Sequence, residues 1–324
     1  MTLLMLLSSI GWSQQKILHV GNSYTLNNNL DAMTAGLLSS GGESWQGAKL
    51  AAGGLLFTDH VSRAADTKSP WHAALASGQQ DWAWVVLQEQ SQLPGFPEDS
   101  PYVIESTAAA VELDDLAEAR GAQTLLLLTW GRRDGDADNT KLFPDFSTMQ
   151  AHLTEGYLRY QAATTTAERP TWIAPAGLAF AHVYDTTDDP LDPKGLFYAL
   201  YAEDGSHPSL LGSYLTACVI YVTLTGNSAE GLPTPDALDE ARRLPLQQAA
   251  DAAVFGSTEL LDFPWESAGP TDTADTDEPI DDTASDTDEP AAKVTDADEG
   301  GCGGRSLVWL GLAGLFGWRS AKQR

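Results

Sequence analysis

Cysteine is nearly absent, with two in 324 residues. Cys218 lies in an apolar helical stretch and Cys302 in a glycine-rich tail. They are poor partners, so no structural disulfide is expected, and Cys218 reads as a small core residue. Basic residues are also scarce: 18 Lys and Arg stand against 45 Asp and Glu, for a formal charge of -27. Residues 271–300 carry -11 of that and residues 301–324 carry +4, which leaves -20 on residues 1–270. A phosphate backbone would be repelled by that field, which argues against a nucleic-acid partner. His19, His60, His72, His152 and His182 are scattered without ligand spacing, so no metal is expected. There is no Gly-x-Gly-x-x-Gly and no phosphate loop, and no cofactor is expected. The apolar run from Leu307 to Trp318 is shorter than the ~20 residues that a full membrane span needs.

What the chain does have is two short motifs far apart in sequence. Gly21-Asn22-Ser23-Tyr24-Thr25 follows the apolar run Ile17-Leu18-His19-Val20. Asp204-Gly205-Ser206-His207-Pro208-Ser209 lies about 180 residues later. A serine hydroxyl becomes a nucleophile when a histidine takes its proton and a carboxylate orients that histidine. Ser23 sits where a strand should end in a sharp turn. Asp204 and His207 are three apart, so both can project from one turn of chain toward one point. Read blandly, Gly21 is a turn and Asp204 a helix cap. The catalytic reading assigns Ser23 as nucleophile, His207 as base then acid, and Asp204 as the orienting carboxylate.

Over residues 16–227 the chain resembles the SGNH (GDSL-like) hydrolase superfamily. Gly21-Asn22-Ser23 matches its nucleophile block, with Asn where Asp is usual. Ala52-Gly53-Gly54-Leu55 looks like the block that supplies an oxyanion-hole glycine. The third block, normally Gly-x-Asn-Asp, is missing, and Gln88-Glu89-Gln90-Ser91 stands after the apolar run Val85-Val86-Leu87. Asp204 and His207 match the last block, Asp-x-x-His. The resemblance implies an oxyanion hole built from the backbone N–H groups of Ser23 and Gly54 and one side-chain amide. Gln carries the same amide as the missing Asn. Gln88 is the first choice, because it comes directly off a strand, and Gln90 is the second.

Apolar runs alternate with helix-like stretches, as in a doubly wound sheet. Strands are expected at 17–20, 48–52, 82–87, 124–129 and 171–175. Helices are expected at 27–39, 57–65, 103–120, 147–163 and 209–225, the last capped by Ser209. The expected fold is α/β: a three-layer α/β/α sandwich around a mostly five-stranded parallel sheet, SGNH- or flavodoxin-like. Ligands bind such sheets outside the carboxyl ends of the strands, where Ser23, Gly54, Gln88 and Trp130 should converge. Trp130 and Arg132 are candidate substrate-binding residues, since an aromatic face suits a sugar and a guanidinium a carboxylate. The plainer alternative is a basic loop solvating an acidic domain.

The ends suggest export. An apolar run over residues 3–10, followed by Gly11-Trp12-Ser13, reads as a signal peptide of residues 1–13. The hydrolase domain is then 14–265. Residues 266–300 form an acidic linker whose Asp/Thr/Ala/Pro composition cannot offset the entropy of ordering. Residues 301–324 hold Gly-Cys, an apolar run from Leu307 to Trp318 and a basic end, and they resemble a bacterial C-terminal sorting signal. That resemblance implies a membrane stage, a processing protease near Cys302, and residence in the cell envelope or at its surface. The expected function is a serine esterase that removes a small acyl group, acetyl in kind, from a carbohydrate or envelope molecule. A weakly catalytic tethered carbohydrate-binding protein, and a lipase or thioesterase, are the alternatives.

Overall fold

The structure is a computed structural model, and it describes residues 14–266 apart from 79, 236–237 and 239. The proposed leader, most of the acidic linker and the C-terminal segment therefore lie outside the described residues. Five strands form the sheet: β1 (Gln15–Gly21), β2 (Trp45–Ala51), β3 (Trp84–Leu87), β4 (Gln123–Leu127) and β5 (Trp172–Ala174). All pair in parallel, in the order β2-β1-β3-β4-β5. The inner strands read as continuous apolar runs because helices cover both faces of a parallel sheet. Val85, Val86 and Leu87 are fully buried, as are Leu125, Leu126 and Leu127. Strand β2 begins three residues before its expected start. It is an edge strand and only Leu50 in it is buried, so Trp45-Gln46-Gly47 needs no apolar run.

The helices are α1 (Ser23–Leu26), α2 (Leu30–Ser40), α3 (Phe57–Ala65), α4 (Pro101–Glu118), α5 (Phe146–Thr164), α6 (Ala176–Asp185), α7 (Leu196–Ala199), α8 (Leu210–Thr225) and α9 (Glu240–Phe255). Helices α2, α6, α8 and α9 pack with one another, and so do α3, α4 and α5, giving the layers on either side of the sheet. Helix α8 is apolar nearly all round and lies buried, as such a helix must. Its expected cap is present: Ser209 Oγ accepts from the N–H groups of Leu211 and Gly212. Burial pushes the Cys218 thiol pKa up within it, which suits an inert core residue.

Helix α2 starts at Leu30 rather than residue 27. Asn28 and Asn29 have φ of 56° and 53°, a left-handed conformation that cannot continue a right-handed helix. Helices α6 and α9 have no counterpart among the expected elements. Helix α6 follows β5 almost without a loop, and Pro245 inside α9 reads in sequence as a breaker.

Because every strand is parallel, the segments after β1, β2, β3 and β4 emerge at one edge. The chain reverses its direction of growth across the sheet between β1 and β3, the position at which such sheets bind ligands.

Candidate active site

Strand β1 ends at Gly21, and the chain turns at once. A Cβ on Gly21 would lie 2.6 Å from Gln88 Oε1 and closer still to Thr25 Oγ1, so only glycine fits this turn. Asn22 caps α1 by accepting from the Tyr24 N–H, and Ser23 is the first helical residue. His207 lies on the loop before α8. Its Nε2 is 2.8 Å from Ser23 Oγ, and its Nδ1 is 2.5 Å from Asp204 Oδ2. A carboxylate can only accept, so Nδ1 carries the proton, and Nε2 is left to accept from the serine hydroxyl. The three side chains form one hydrogen-bonded line in the order that activates a serine.

The Asp204 carboxylate is held by more than His207. Its Oδ1 accepts from the N–H groups of Ser206, at 3.0 Å, and His207, at 2.9 Å. Burial raises its pKa, but the hydrogen bonds from the His207 ring and these two amides outweigh burial and bring it down to about 2. Asp204 is thus an ionised acceptor throughout the neutral range. Gly205 makes the turn possible with φ of 66°, and its carbonyl accepts from Arg133 N–H at 2.8 Å.

Asn22 joins three of the converging segments. Its Nδ2 donates to the carbonyls of Leu55 (3.2 Å) and Glu89 (3.4 Å), and its Oδ1 accepts from Gln88 Nε2 (3.0 Å) as well as from Tyr24 N–H. An aspartate could not make the two donations. The turn at Gly53 and Gly54 is thereby tied to the nucleophile through Leu55. Gly54 has φ of 71° and open space where a Cβ would stand. Among the described residues, neither the Ser23 N–H nor the Gly54 N–H has a protein acceptor.

No family model and no curated protein matches the chain. Solved structures do. A protein from Slackia heliotrinireducens, described provisionally as an SGNH hydrolase, is 28% identical, with 64% of this chain and 98% of that chain covered at a TM-score of 0.50. A DUF4886 family protein from Bacteroides uniformis is 18% identical over 78% of this chain and 99% of that chain, with a TM-score of 0.62. This chain has the SGNH hydrolase fold.

Within the SGNH framework three expectations need correction. Gln88 offers no oxyanion donor. It is fully buried, and its amide donates to Asn22 Oδ1 and to the Glu89 carbonyl while accepting from Asn22 N–H and Thr25 Oγ1. Both its protons are spent on holding the nucleophile turn. Gln90 is placed differently. Its Oε1 accepts from Gln92 and Leu93 N–H, which fixes the side chain, and its Nε2 has no protein acceptor among the described residues. Trp130 is fully buried and does not line a cleft. It is sandwiched between Tyr24 (4.8 Å between centroids) and Phe180 (4.4 Å), and its Nε1 donates to the Ser206 carbonyl at 3.2 Å. Arg132 is bound to Asp136 at 2.7 Å, with Gln92 beside it, so its guanidinium is not a free anion site.

Several residues around Ser23 and His207 escape sequence reasoning because their partners are remote. Tyr24 hydroxyl and Ser206 Oγ are 2.7 Å apart, and the Tyr24 ring meets the His207 ring edge-on at 5.5 Å. Asn28 Nδ2 donates to the Pro208 carbonyl and to Ser213 Oγ, pinning the histidine loop to the turn after Ser23. Its left-handed backbone is what lets it reach. His60 is buried and accepts from Trp71 Nε1 at 2.7 Å. Its Nε2 makes no hydrogen bond of normal geometry, although the Gly21 carbonyl lies near enough to favour a proton there. Burial lowers its pKa to about 4, so the ring is neutral.

Proposed function

We propose that this chain is a serine esterase that works through an acyl-enzyme. Ser23 Oγ attacks the ester carbonyl carbon and its proton passes to His207 Nε2. The carbonyl oxygen becomes an oxyanion, and the Ser23 and Gly54 N–H groups donate to it. Each such donor is typically worth ~3 kcal/mol in the transition state. Collapse breaks the ester C–O bond, and the alcohol leaves with the proton from His207. A water, deprotonated by the same nitrogen, then attacks the acyl-enzyme, releases the acid and restores Ser23. The observation that carries this reading is the Ser23–His207–Asp204 hydrogen-bond line, with contacts of 2.8 and 2.5 Å.

The substrate is proposed to be a small acyl group, acetyl in kind, on a bulky alcohol such as a carbohydrate or envelope molecule. The His207 and Asp204 side chains are 34% and 50% exposed, and Gly54 is open to solvent. Such an open site admits a large alcohol more readily than it sequesters a long chain. The export reading rests on residues 1–13 and 271–324, and on sequence alone. Chain cut after residue 270 is expected to keep activity and to leave the membrane fraction.

Hydrolysis of p-nitrophenyl acetate by the parent chain, lost in folded Ser23→Ala, tests the esterase. Equal rates in the two proteins would sink it.

A further inference from the structure

Glu89 is a fully buried carboxylate that the hydrolytic steps do not use. It is the second residue after β3, between Gln88 and Gln90. Both its oxygens accept from the Phe57 N–H at 3.1 Å, at the start of α3. Its Oε1 also accepts from the Gln90 N–H at 2.6 Å, and its Oε2 from Ser106 Oγ on α4. Phe57 lies three residues after Gly54, and Gln90 carries the unengaged amide described above. The side chain thus ties the segment after Gly54 to the segment that carries Gln90. Its own carbonyl accepts from Asn22 Nδ2, which joins this tie to the nucleophile turn.

The carboxylate is costly to keep there. Burial raises its pKa to about 7, against hydrogen bonds from Ser106, Gln90 and Phe57 that lower it. The titratable groups facing it are Asp59 on α3, which raises it further, and Tyr157 and Tyr160 on α5. Among the described residues no cation is one of them. A group whose folded-state pKa is raised takes stability away as pH climbs from its unfolded value, near 4.3, through 7.

We infer that Glu89 is a positioning residue, which holds the Gly54 turn and the Gln90 loop at the spacing the oxyanion requires. It acts through backbone amides and does not touch substrate, in the manner of the supporting shell a preorganised site needs. The charged acceptor matters because hydrogen bonds to an ionised group are roughly twice as strong as neutral ones.

This inference rests on the esterase reading, and its test separates the two. The full chain, its Glu89→Gln variant and its Ser106→Ala variant are compared on p-nitrophenyl acetate, with thermal melts at pH 6 and pH 8. Glu89→Gln is expected to lower kcat about tenfold with KM within about twofold, because the oxyanion forms only after attack. Its melting temperature at pH 8 is expected to equal or exceed the parent's, since the buried charge is gone. Ser106→Ala leaves both backbone hydrogen bonds in place but removes one that lowers the Glu89 pKa, so it is assayed at pH 9, where Glu89 stays ionised, and its kcat there is expected to stay within about threefold of the parent's. Unchanged kcat in Glu89→Gln overturns the inference and leaves the esterase standing. A fall in kcat accompanied by a lower melting temperature at pH 8, or a variant that does not fold, also overturns it, because Glu89 would then be structural. A kcat loss in Ser106→Ala equal to that in Glu89→Gln overturns it as well. A parent chain that hydrolyses no ester overturns both readings.

Discussion

Replacing Asn22 with aspartate should harm this chain, although aspartate is the usual residue of the block that Asn22 resembles. The substitution is nearly isosteric and changes little but the Nδ2 group. That group is 2% exposed as part of its residue, and it donates to the Leu55 and Glu89 carbonyls at 3.2 and 3.4 Å. A carboxylate oxygen there would face two acceptors and satisfy neither. Losing two donations, at about 1 kcal/mol each, and leaving a buried charge against two carbonyls puts the penalty at about 3–4 kcal/mol. It has a ceiling, because the carboxyl can protonate instead. At pH 8, from an unfolded pKa near 3.9, that costs about 5–6 kcal/mol. For a fold of this size 3–4 kcal/mol corresponds to a fall in Tm of about 10 °C. The pH dependence carries the sign. The new carboxyl has a raised folded-state pKa, so its penalty grows as pH rises above about 4 and fades as pH falls toward 4. Melts of Asn22→Asp and parent, followed by circular dichroism at pH 5 and pH 8, should show a gap that is wider at pH 8. Equal melting temperatures at pH 8, or a gap that widens on acidification, would refute the placement of Asn22 as a double donor.

Gln88→Ala and Gln90→Ala should part company. The first removes a buried amide with four hydrogen bonds and is expected to destabilise the fold by about 2–4 kcal/mol, measured by urea melts. The second takes the acceptor from the Gln92 and Leu93 N–H groups, a loss of about 1–2 kcal/mol, and is expected to lower kcat about a hundredfold, as loss of an oxyanion donor does. Trp130→Phe keeps a ring between Tyr24 and Phe180 but drops the hydrogen bond to the Ser206 carbonyl. A modest loss of stability, about 1 kcal/mol, together with a lower kcat in steady-state assays is expected. Asp204→Asn is expected to lower kcat by about a thousandfold or more at pH 7, because the amide cannot hold the Nδ1–H tautomer. The parent's kcat/KM profile should show no ionisation of Asp204 above pH 4, since its pKa is held near 2.

Local chemistry made much of the molecule legible in the sequence. The inner strands announce themselves as apolar runs, because both sheet faces are covered. The proximity of Asp204 and His207 is a matter of three residues, and a glycine that permits a sharp turn marks Ser23. What the sequence hides is where a polar side chain spends its hydrogen bonds. Gln88 comes off its strand as a donor should, yet Asn22 and Thr25, more than 60 residues away in sequence, consume its amide group. Trp130 follows β4 at the ligand-binding edge but is buried by rings contributed from α1 and α6. Glu89, lying between two glutamines, carries no signal of its own in sequence, and only Phe57, Ser106 and the α5 tyrosines around it reveal a buried carboxylate. The left-handed pair Asn28-Asn29 has no periodicity to betray it, and so the start of α2 is misplaced from sequence.

The central claim is that Ser23 is an activated nucleophile and that His207 activates it. Treatment of the full chain with a fluorophosphonate, followed by peptide mass spectrometry, tests this most directly. The account predicts one phosphonylated residue, Ser23, with labelling abolished in Ser23→Ala and slowed at least about a hundredfold in His207→Ala, the range a general base contributes. Labelling elsewhere, or labelling of Ser23 at an undiminished rate in His207→Ala, would contradict it.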